Sequence, residues 1–194
     1  MCSSDLPEFD AGAAATVTAE MLAVSRHSAH FVCVCDDLWR GGEDYQDWTE
    51  VYVRGLAQVC RALAAELFGV DDPARVVFTA NATHGLNIAI RSVVKPGGRV
   101  IVSGFEHNAV TRPLHALGAD IRVAGRRLFD WEDTLSCFGR ELKQGADAAV
   151  FTHVSNVFGY ILPVEQLAEM CRKWRVPFII DAAQSAGALP VSFR

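Results

Sequence analysis

The stretch VPFIIDAAQS, residues 176–185, is the most informative part of this 194-residue chain. A short apolar run ends abruptly in the carboxylate of Asp181, and the amide of Gln184 follows three residues later. Continuous apolar runs bounded by turn residues are typical of buried strands in parallel sheets. The stretch therefore predicts a buried strand that delivers Asp181 to its carboxyl end.

Strand and helix patterns alternate along the chain that precedes this strand. Apolar residues at helical spacing predict a helix from near Trp48 to Phe68, which Gly69 ends. The further predicted elements are strands at 75–79, 99–103, 120–123 and 148–152, separated by helices at 83–94, 108–117, 131–142 and 163–174. This alternation predicts an α/β fold, with a mostly parallel sheet covered by helices on both faces.

The composition argues against several classes of partner. The net charge of −5 gives no reason to expect nucleic acid or an anionic membrane as a partner. No apolar run reaches the ~20 residues that span a bilayer, and residues 11–24 lack the basic leader of a secretory signal. The six cysteines form no zinc pattern, so we expect no metal site and mostly buried, reduced thiols in a cytoplasmic protein.

The first 45 residues form an N-terminal arm whose pattern is poorly legible. Residues 1–6 fit nothing that follows and are similar to a translated sequencing adapter, so we exclude them as an assembly artefact. Residues 13–24 are predicted as a helix. The α/β domain is expected to begin at residue 46.

Polar clusters follow four of the five predicted strands. They are Asn81-Ala82-Thr83, Glu106-His107-Asn108, His153-Val154-Ser155-Asn156, and Asp181 with Gln184. In parallel α/β sheets ligands bind outside the carboxyl ends of the strands. Because four clusters fall at one edge, this edge is the predicted ligand site.

Three of these clusters have both a structural and a ligand-binding interpretation. Backbone N–H groups at Ala82 and Thr83, where a helix begins, favour an anion, but Thr83 is equally suited to be the N-cap of that helix. An imidazole at His107 can stack on a flat aromatic ligand and move protons, although a surface histidine is the commoner arrangement. Asn156 can donate to a ligand oxygen or simply be a turn residue.

The sequence around Asp181 separates the structural interpretation from the ligand-binding one more clearly than the other three clusters do. Its spacing to Gln184 is that of a capping box, but Gly187 and Pro190 leave room for only a turn or so of helix. A carboxylate at the end of a buried strand is partly desolvated and needs a cationic partner to stay charged. The local turn holds no lysine or arginine, so we favour a protonated ring nitrogen of a bound ligand.

Together these motifs resemble the class V aminotransferase family of fold-type I pyridoxal phosphate enzymes, which includes cysteine desulfurases and selenocysteine lyases. The resemblance runs from about residue 57 to residue 193. It rests on FTANAT (78–83), EHN (106–108), SNVFG (155–159) with ILPV (161–164), and DAAQS (181–185). A Rossmann-type nucleotide-binding module is the alternative, but its glycine fingerprint is absent from the sequence.

The resemblance implies that pyridoxal 5′-phosphate is the cofactor and that two of the clusters hold its phosphate and its ring. Ala82 and Thr83 match the positions that hold the phosphate. His107 matches the histidine that stacks on the pyridine ring, and it is one of two residues to which the resemblance gives a catalytic role.

The second of these catalytic residues is Asp181, which matches the partner of the pyridine nitrogen. Asn156 and Gln184 match side chains near the phenolic oxygen of the ring. The resemblance further implies an amino-acid substrate, a homodimer, and C–S bond cleavage through a Schiff base and a stabilised carbanion. Other amino-acid chemistry of the family (a transaminase, a lyase or an epimerase) remains open.

The family's Schiff-base lysine follows a Ser/Gly-His pair shortly beyond the matching strand. The three lysines of this chain, Lys95, Lys143 and Lys173, lack that context. We therefore expect residues 46–194 to be part of a cofactor-binding large domain, without the small C-terminal domain, and inactive alone. A catalytically inert truncated chain is the corresponding alternative function.

Overall fold

The structure is a computed structural model that describes residues 20–24, 30–33 and 46–190. The strands are β1 (Glu20–Val24), β2 (His30–Cys33), β3 (Val76–Thr79), β4 (Arg99–Val102), β5 (Asp120–Val123), β6 (Ala148–Thr152) and β7 (Phe178–Asp181). The α-helices are α1 (Gln46–Phe68), α2 (Ala82–Val93), α3 (Asn108–Ala116), α4 (Trp131–Lys143) and α5 (Val164–Trp174). Each element predicted from residue 46 onward is present, with ends within about two residues of the predicted ones.

The seven strands form one sheet in the order β3-β2-β1-β7-β6-β4-β5. Four neighbouring pairs are parallel, and β1 runs antiparallel to both β2 and β7. The predicted α/β class with a mostly parallel sheet is confirmed. Because β4, β6 and β7 are adjacent and parallel, the residues that follow them meet at one edge.

The predicted helix at 13–24 is wrong at residues 20–24, which form β1, while residues 13–19 lie outside the described chain. Leu22 of β1 pairs with Asp181 of β7, and Met21 pairs with Val32 of β2. Pairing with two neighbouring strands outweighs the helical preference of an Ala-rich segment, because propensity alone is worth under about 1 kcal/mol per residue.

Local signals place the ends of several helices. Gly69 has a φ of 67°, the left-handed conformation that glycine adopts readily, and it follows the last residue of α1. Asp130 caps α4, accepting a hydrogen bond from the N–H of Asp133 at 2.9 Å. Such caps contribute about 1 kcal/mol each and explain why these boundaries are legible in the sequence.

The core has one layer on each face of the sheet, because alternate strand residues point to opposite faces. The layer with α2 and α3 contains Val100, Val102, Val150 and Ile179. The layer with α4 and α5 contains Ile101, Ala149, Phe151 and Phe178. All of β6 is buried, as expected for a strand covered on both faces. Helices on both faces are therefore confirmed.

The cysteine prediction holds in part among the residues whose side chains are described. Cys60, Cys137 and Cys171 are free thiols. Cys171 is fully buried between α5 and the sheet, but Cys60 is exposed on α1, so burial is not the general rule. In the same part of the chain, no group of three or more His, Cys, Asp or Glu side chains is placed to hold a metal ion. None of the described helices is long and apolar enough to cross a membrane.

Candidate functional site

Asp181 ends β7, and only 5% of the residue is exposed to solvent. Its Oδ1 accepts a hydrogen bond from the N–H of Ala183 at 3.0 Å. Residues 182–189 then form consecutive turns, in which the N–H of Leu189 donates to the carbonyl of Ser185. The capping-box alternative is wrong for the described residues, since none of residues 182–190 is in a helix that Asp181 could cap.

The turn after β4 brings a second carboxyl group to Asp181. Oε1 of Glu106 accepts hydrogen bonds from the hydroxyl of Ser103 and from the N–H of Thr152, the latter at 2.8 Å. Burial raises the pKa of Glu106 to about 8, and the negative charge of Asp181 adds to the rise, while the two hydrogen bonds oppose it. Oε2 of Glu106 is buried and has no hydrogen-bond partner among the described residues.

Glu106 is the residue whose importance the sequence interpretation missed. In the sequence it is visible only as part of the EHN motif, which assigns it no role. The signal that could have identified Glu106 is its position directly before His107, at the edge of the sheet where Asp181 is also expected. Its contact with Thr152, 46 positions along the chain, depends on the order of β4 and β6 in the sheet.

His107 follows Glu106 directly and is the exposed N-cap of α3. Its Nδ1 accepts a hydrogen bond from the N–H of Ala109 at 3.1 Å. In the neutral imidazole the proton then lies on Nε2. The ring is thus held by the start of α3, with one nitrogen left to meet a ligand.

The start of α2 carries the residues predicted to bind an anion. Asn81 is the N-cap, and its Oδ1 accepts from the N–H of His84 at 2.8 Å, so the alternative that made Thr83 the cap is wrong. Ala82 is buried and Thr83 exposed, at the first and second helical positions. The first turn holds no acidic residue, so the positive end of the helix dipole is not compensated there.

A cavity of about 370 Å³ between α2 and α3 brings two of the predicted site residues together. Thr83 and His107 both line it. Its other polar lining residues are Asn87, Asn108, Arg91 and Arg112. The two arginines and the start of α2 give this cavity a positive character.

Asn156 and Gln184 lie in the exposed loops after β6 and β7, and neither lines that cavity. Asn156 is in the turn of a short hairpin closed by the pairing of Val154 with Ile161. The two loops are joined beneath the surface, where Nδ1 of His153 lies 2.9 Å from the hydroxyl of Ser185. Both residues thus sit at the expected edge, in loops that share a buried contact.

The three lysines of the chain lie at the opposite edge of the sheet. Lys95 is in the turn before β4, Lys143 ends α4 just before β6, and Lys173 is near the end of α5, before β7. All three are exposed. None is therefore placed to reach the carboxyl edge where Asp181 lies.

Comparison with known proteins gives a family match over most of the chain. Residues 50–194 match the Aminotransferase class-V family. The cysteine desulfurase IscS of Pectobacterium carotovorum subsp. carotovorum (strain PC1) is 33% identical over 140 residues, which are 69% of this chain and 34% of that protein. The IscS of Shewanella sediminis (strain HAW-EB3) is 32% identical over the same shares.

Solved structures agree on the fold. The apo cysteine desulfurase from Thermococcus onnurineus NA1 has a TM-score of 0.63 at 25% identity, covering 78% of this chain and 38% of that one. The cystine C-S lyase C-DES, solved with its reaction product cysteine persulfide, has a TM-score of 0.65 at 21% identity over 77% of this chain and 42% of its own. This second likeness speaks for the fold alone.

The chain spans about a third of the length of the curated relatives it matches. Over the matched part, the solved cysteine desulfurase has the same fold as this chain, a mostly parallel sheet with helices on both faces. The match over residues 50–194 shows that the chain belongs to the class V aminotransferase family, the pyridoxal phosphate-dependent family that contains the cysteine desulfurases.

Proposed function

We propose that this chain forms the cofactor-binding part of a pyridoxal 5′-phosphate-dependent enzyme that acts on an amino acid, and that the whole protein is a cysteine desulfurase. The observation that carries the proposal is the buried carboxylate of Asp181 at the carboxyl end of β7. A carboxylate at this edge of the sheet can hold the proton of a pyridine nitrogen, because a nearby opposite charge favours the charged form of each group.

The residues present fit the chemical groups of this cofactor. The start of α2, at Ala82 and Thr83, lacks acidic residues and suits a phosphate. The unpaired Oε2 of Glu106 shows that the buried polar groups around Asp181 are not all satisfied within the described chain. A polar ligand at this edge would complete the set, whereas an apolar one would leave it unpaired.

Each residue would then have a defined task. Pyridoxal phosphate, when bound, supplies an electron sink for the electron pair left on a substrate carbon. Asp181 would hold a proton at the ring nitrogen, and Ala82 and Thr83 would bind the phosphate through backbone N–H groups and a hydroxyl. The ring of His107, held through Nδ1 by the N–H of Ala109, would stack on the pyridine.

Asn156 and Gln184 would donate hydrogen bonds to the phenolic oxygen. Both are exposed amides at the carboxyl edge, in loops fixed to one another through His153 and Ser185. The choice of cysteine as substrate is supported by the names of the relatives, which are cysteine desulfurases. Residues 46–194 are accordingly proposed to be part of a larger cofactor-binding domain.

The positions of the lysines favour a second candidate, in which this chain binds the cofactor but has no activity alone. Lys95, Lys143 and Lys173 are exposed at the amino edge of the sheet. After incubation with pyridoxal phosphate and reduction with borohydride, peptide mapping is expected to find only partial, scattered adducts on these lysines. One stoichiometric adduct at a single lysine would contradict this candidate.

We also propose that the whole protein is a cytoplasmic homodimer. An apolar stripe on α1, formed by Val59, Leu63 and Leu67, is 56%, 60% and 64% exposed, respectively, and a second subunit is one way to cover it. Sedimentation of the chain and of Leu63→Lys tests the proposal. A dimer that Leu63→Lys leaves unchanged would show that the stripe is not the interface.

The cofactor site itself is tested by equilibrium binding of pyridoxamine phosphate, which needs no lysine. Asp181→Asn keeps an acceptor for the N–H of Ala183 but removes the charge. Since a hydrogen bond to a charged group contributes about 1.5–3 kcal/mol, binding should weaken roughly 10- to 100-fold. Asp71→Asn, at an exposed loop residue, is the matched control and should bind as the wild-type chain does. Equal affinities for all three proteins would refute the site.

A further inference from the structure

Glu106 has an arrangement that the proposed function does not explain. One oxygen of its carboxyl group accepts two hydrogen bonds, from Ser103 in its own turn and from the backbone of Thr152 at the end of β6. The other oxygen is buried and has no described partner. Asp181 lies close enough for its charge to act on Glu106.

We propose that Glu106 is a positioning residue of the cofactor site, which clamps the turn after β4 to the end of β6 and so sets the place of His107 relative to Asp181. This inference rests on the proposed function, because it assigns Glu106 a task toward the same ligand. Glu106 does not itself need to contact the substrate.

The clamp acts on the placement of His107. Glu106 is the residue directly before His107, and its Oε1 fixes the turn against Thr152, which is itself adjacent to His153 and paired with Asp181 in the sheet. The ring of His107 is then oriented by the N–H of Ala109 in the first turn of α3. A shift of the turn would therefore move His107 relative to Asp181.

Gly104 shows how little freedom this turn has. A Cβ added there would lie 2.7 Å from the carbonyl oxygen of Gly125, which is a backbone atom. The N–H of Gly104 also donates to that carbonyl at 3.1 Å. The turn is thus held from one side by residue 125 and from the other by the Glu106 clamp.

The neutrality of Glu106 follows from its surroundings. The ionisable group that acts on it is Asp181, from β7, and the groups that bond to it, from the β4 turn and from β6, are neutral donors. Burial disfavours the ionised form most, and the repulsion between two ionised carboxylates adds to this effect, so Glu106 keeps its proton at neutral pH. A cation bound at Asp181 removes that repulsion and favours release of the proton from Glu106.

Three substitutions test the hydrogen bonds of the Glu106 clamp separately from the charge of its carboxyl group. Glu106→Gln keeps the Oε1 acceptor and is neutral, so it should bind pyridoxamine phosphate within about twofold of the wild-type chain at neutral pH. Glu106→Ala removes the clamp and should weaken binding at least tenfold. Ser103→Ala removes one of the two donors and should give an intermediate loss, and it serves in place of Glu106→Ala if that variant does not fold. Glu132→Ala, at an exposed residue of α4, is the control.

A pH series adds a readout that a purely structural role would not move. Above pH 8 the wild-type Glu106 ionises, and the added negative charge should strengthen binding of the cationic ring. Glu106→Gln has no such group. The ratio of wild-type to Glu106→Gln affinity should therefore be flat well below that pH and rise above it.

The outcomes distinguish the positioning role of Glu106 from the existence of the cofactor site. If the wild-type chain binds pyridoxamine phosphate and the variants without the clamp bind it equally well, the positioning role is wrong while the cofactor site stands. If Glu106→Gln binds as weakly as Glu106→Ala, a charged Glu106 is required and its neutrality is refuted. If the wild-type chain does not bind the ligand at all, the proposed function fails and this role fails with it.

Discussion

Nδ1 of His153 and the hydroxyl of Ser185 lie 2.9 Å apart in the interior, and this contact joins the loop after β6 to the loop after β7. The backbone of His153 extends the connection, because its N–H donates to the carbonyl of Asp181 and its carbonyl accepts from Leu162. Burial lowers the pKa of His153, so the imidazole is neutral near pH 7. The loops that carry Asn156 and Gln184 are therefore joined to the strand end that carries Asp181.

Replacing Ser185 by alanine should destabilise the chain. The hydroxyl is fully buried, and its loss leaves a buried imidazole nitrogen without its partner, which costs about 1–3 kcal/mol. Denaturant unfolding monitored by circular dichroism measures the change. Ser136→Ala, at an exposed hydroxyl on α4, is the control and should stay within about 0.5 kcal/mol of wild type. If the two variants have the same stability, the His153 contact contributes nothing.

The contribution of Glu106 to the stability of the chain should fall as the pH rises from 4.5 towards 8. In the unfolded chain Glu106 ionises near its ordinary pKa of 4.5, whereas the folded chain keeps the proton up to about pH 8. The folded state therefore binds more protons in this window, and the free energy of unfolding declines by up to ~1.4 kcal/mol per pH unit.

Glu106→Gln removes this contribution, so its stability relative to wild type should grow with pH across the window and level off above it. Urea midpoints at several pH values check this. Glu132→Gln, at an exposed carboxyl on α4, is the control substitution. A constant difference between Glu106→Gln and wild type would show that Glu106 titrates normally.

Gly104→Ala should destabilise the chain and weaken binding of pyridoxamine phosphate together. The new methyl group would meet the backbone carbonyl of Gly125 at 2.7 Å, so the turn that leads to Glu106 must shift. Overpacking of this kind costs about 1–3 kcal/mol. Gly139→Ala, inside α4, is the matched control, because its methyl group meets only the flexible end of Met170 in α5 and alanine favours a helix. Unchanged binding by Gly104→Ala would show that the turn tolerates a shift.

Cys60 should react with a thiol reagent in the native chain, while Cys171 should not. Cys60 is exposed, whereas burial raises the pKa of Cys171 to about 12 and leaves it as an inaccessible thiol. Peptide mapping after brief alkylation, with and without denaturant, measures both sites in one sample. Native-state modification of Cys171 at the rate of Cys60 would mean that α5 opens readily from the sheet.

The sequence predicted the elements from residue 46 onward because their signals are local. Apolar runs mark β4, β6 and β7, and residues such as Gly69 and Asp130 mark helix ends. It also placed Asp181 at a carboxyl end, a prediction that needs only the strand and its direction. The ligand roles of the six site residues remain predictions.

The parts that the sequence did not reveal depend on neighbours far along the chain. The contact of Glu106 with Thr152 requires β4 beside β6, and the contact of His153 with Ser185 requires β6 beside β7. Strand order follows from the packing of the whole sheet, which no local pattern contains. Residues 20–24 were mistaken for helix for the same reason, since their partners lie in β2 and β7.

The pairing of β1 with β7 has a consequence for how the chain folds. It joins Leu22 to Asp181, residues from opposite ends of the described chain, and so closes a very long loop. Closing such a loop costs conformational entropy before its contacts repay it, and topologies rich in such contacts fold slowly. We therefore expect β4, β5, β6 and β7 to assemble first and β1 to pair late with the strand that carries Asp181, so the last step of folding completes the sheet beside the proposed ligand site.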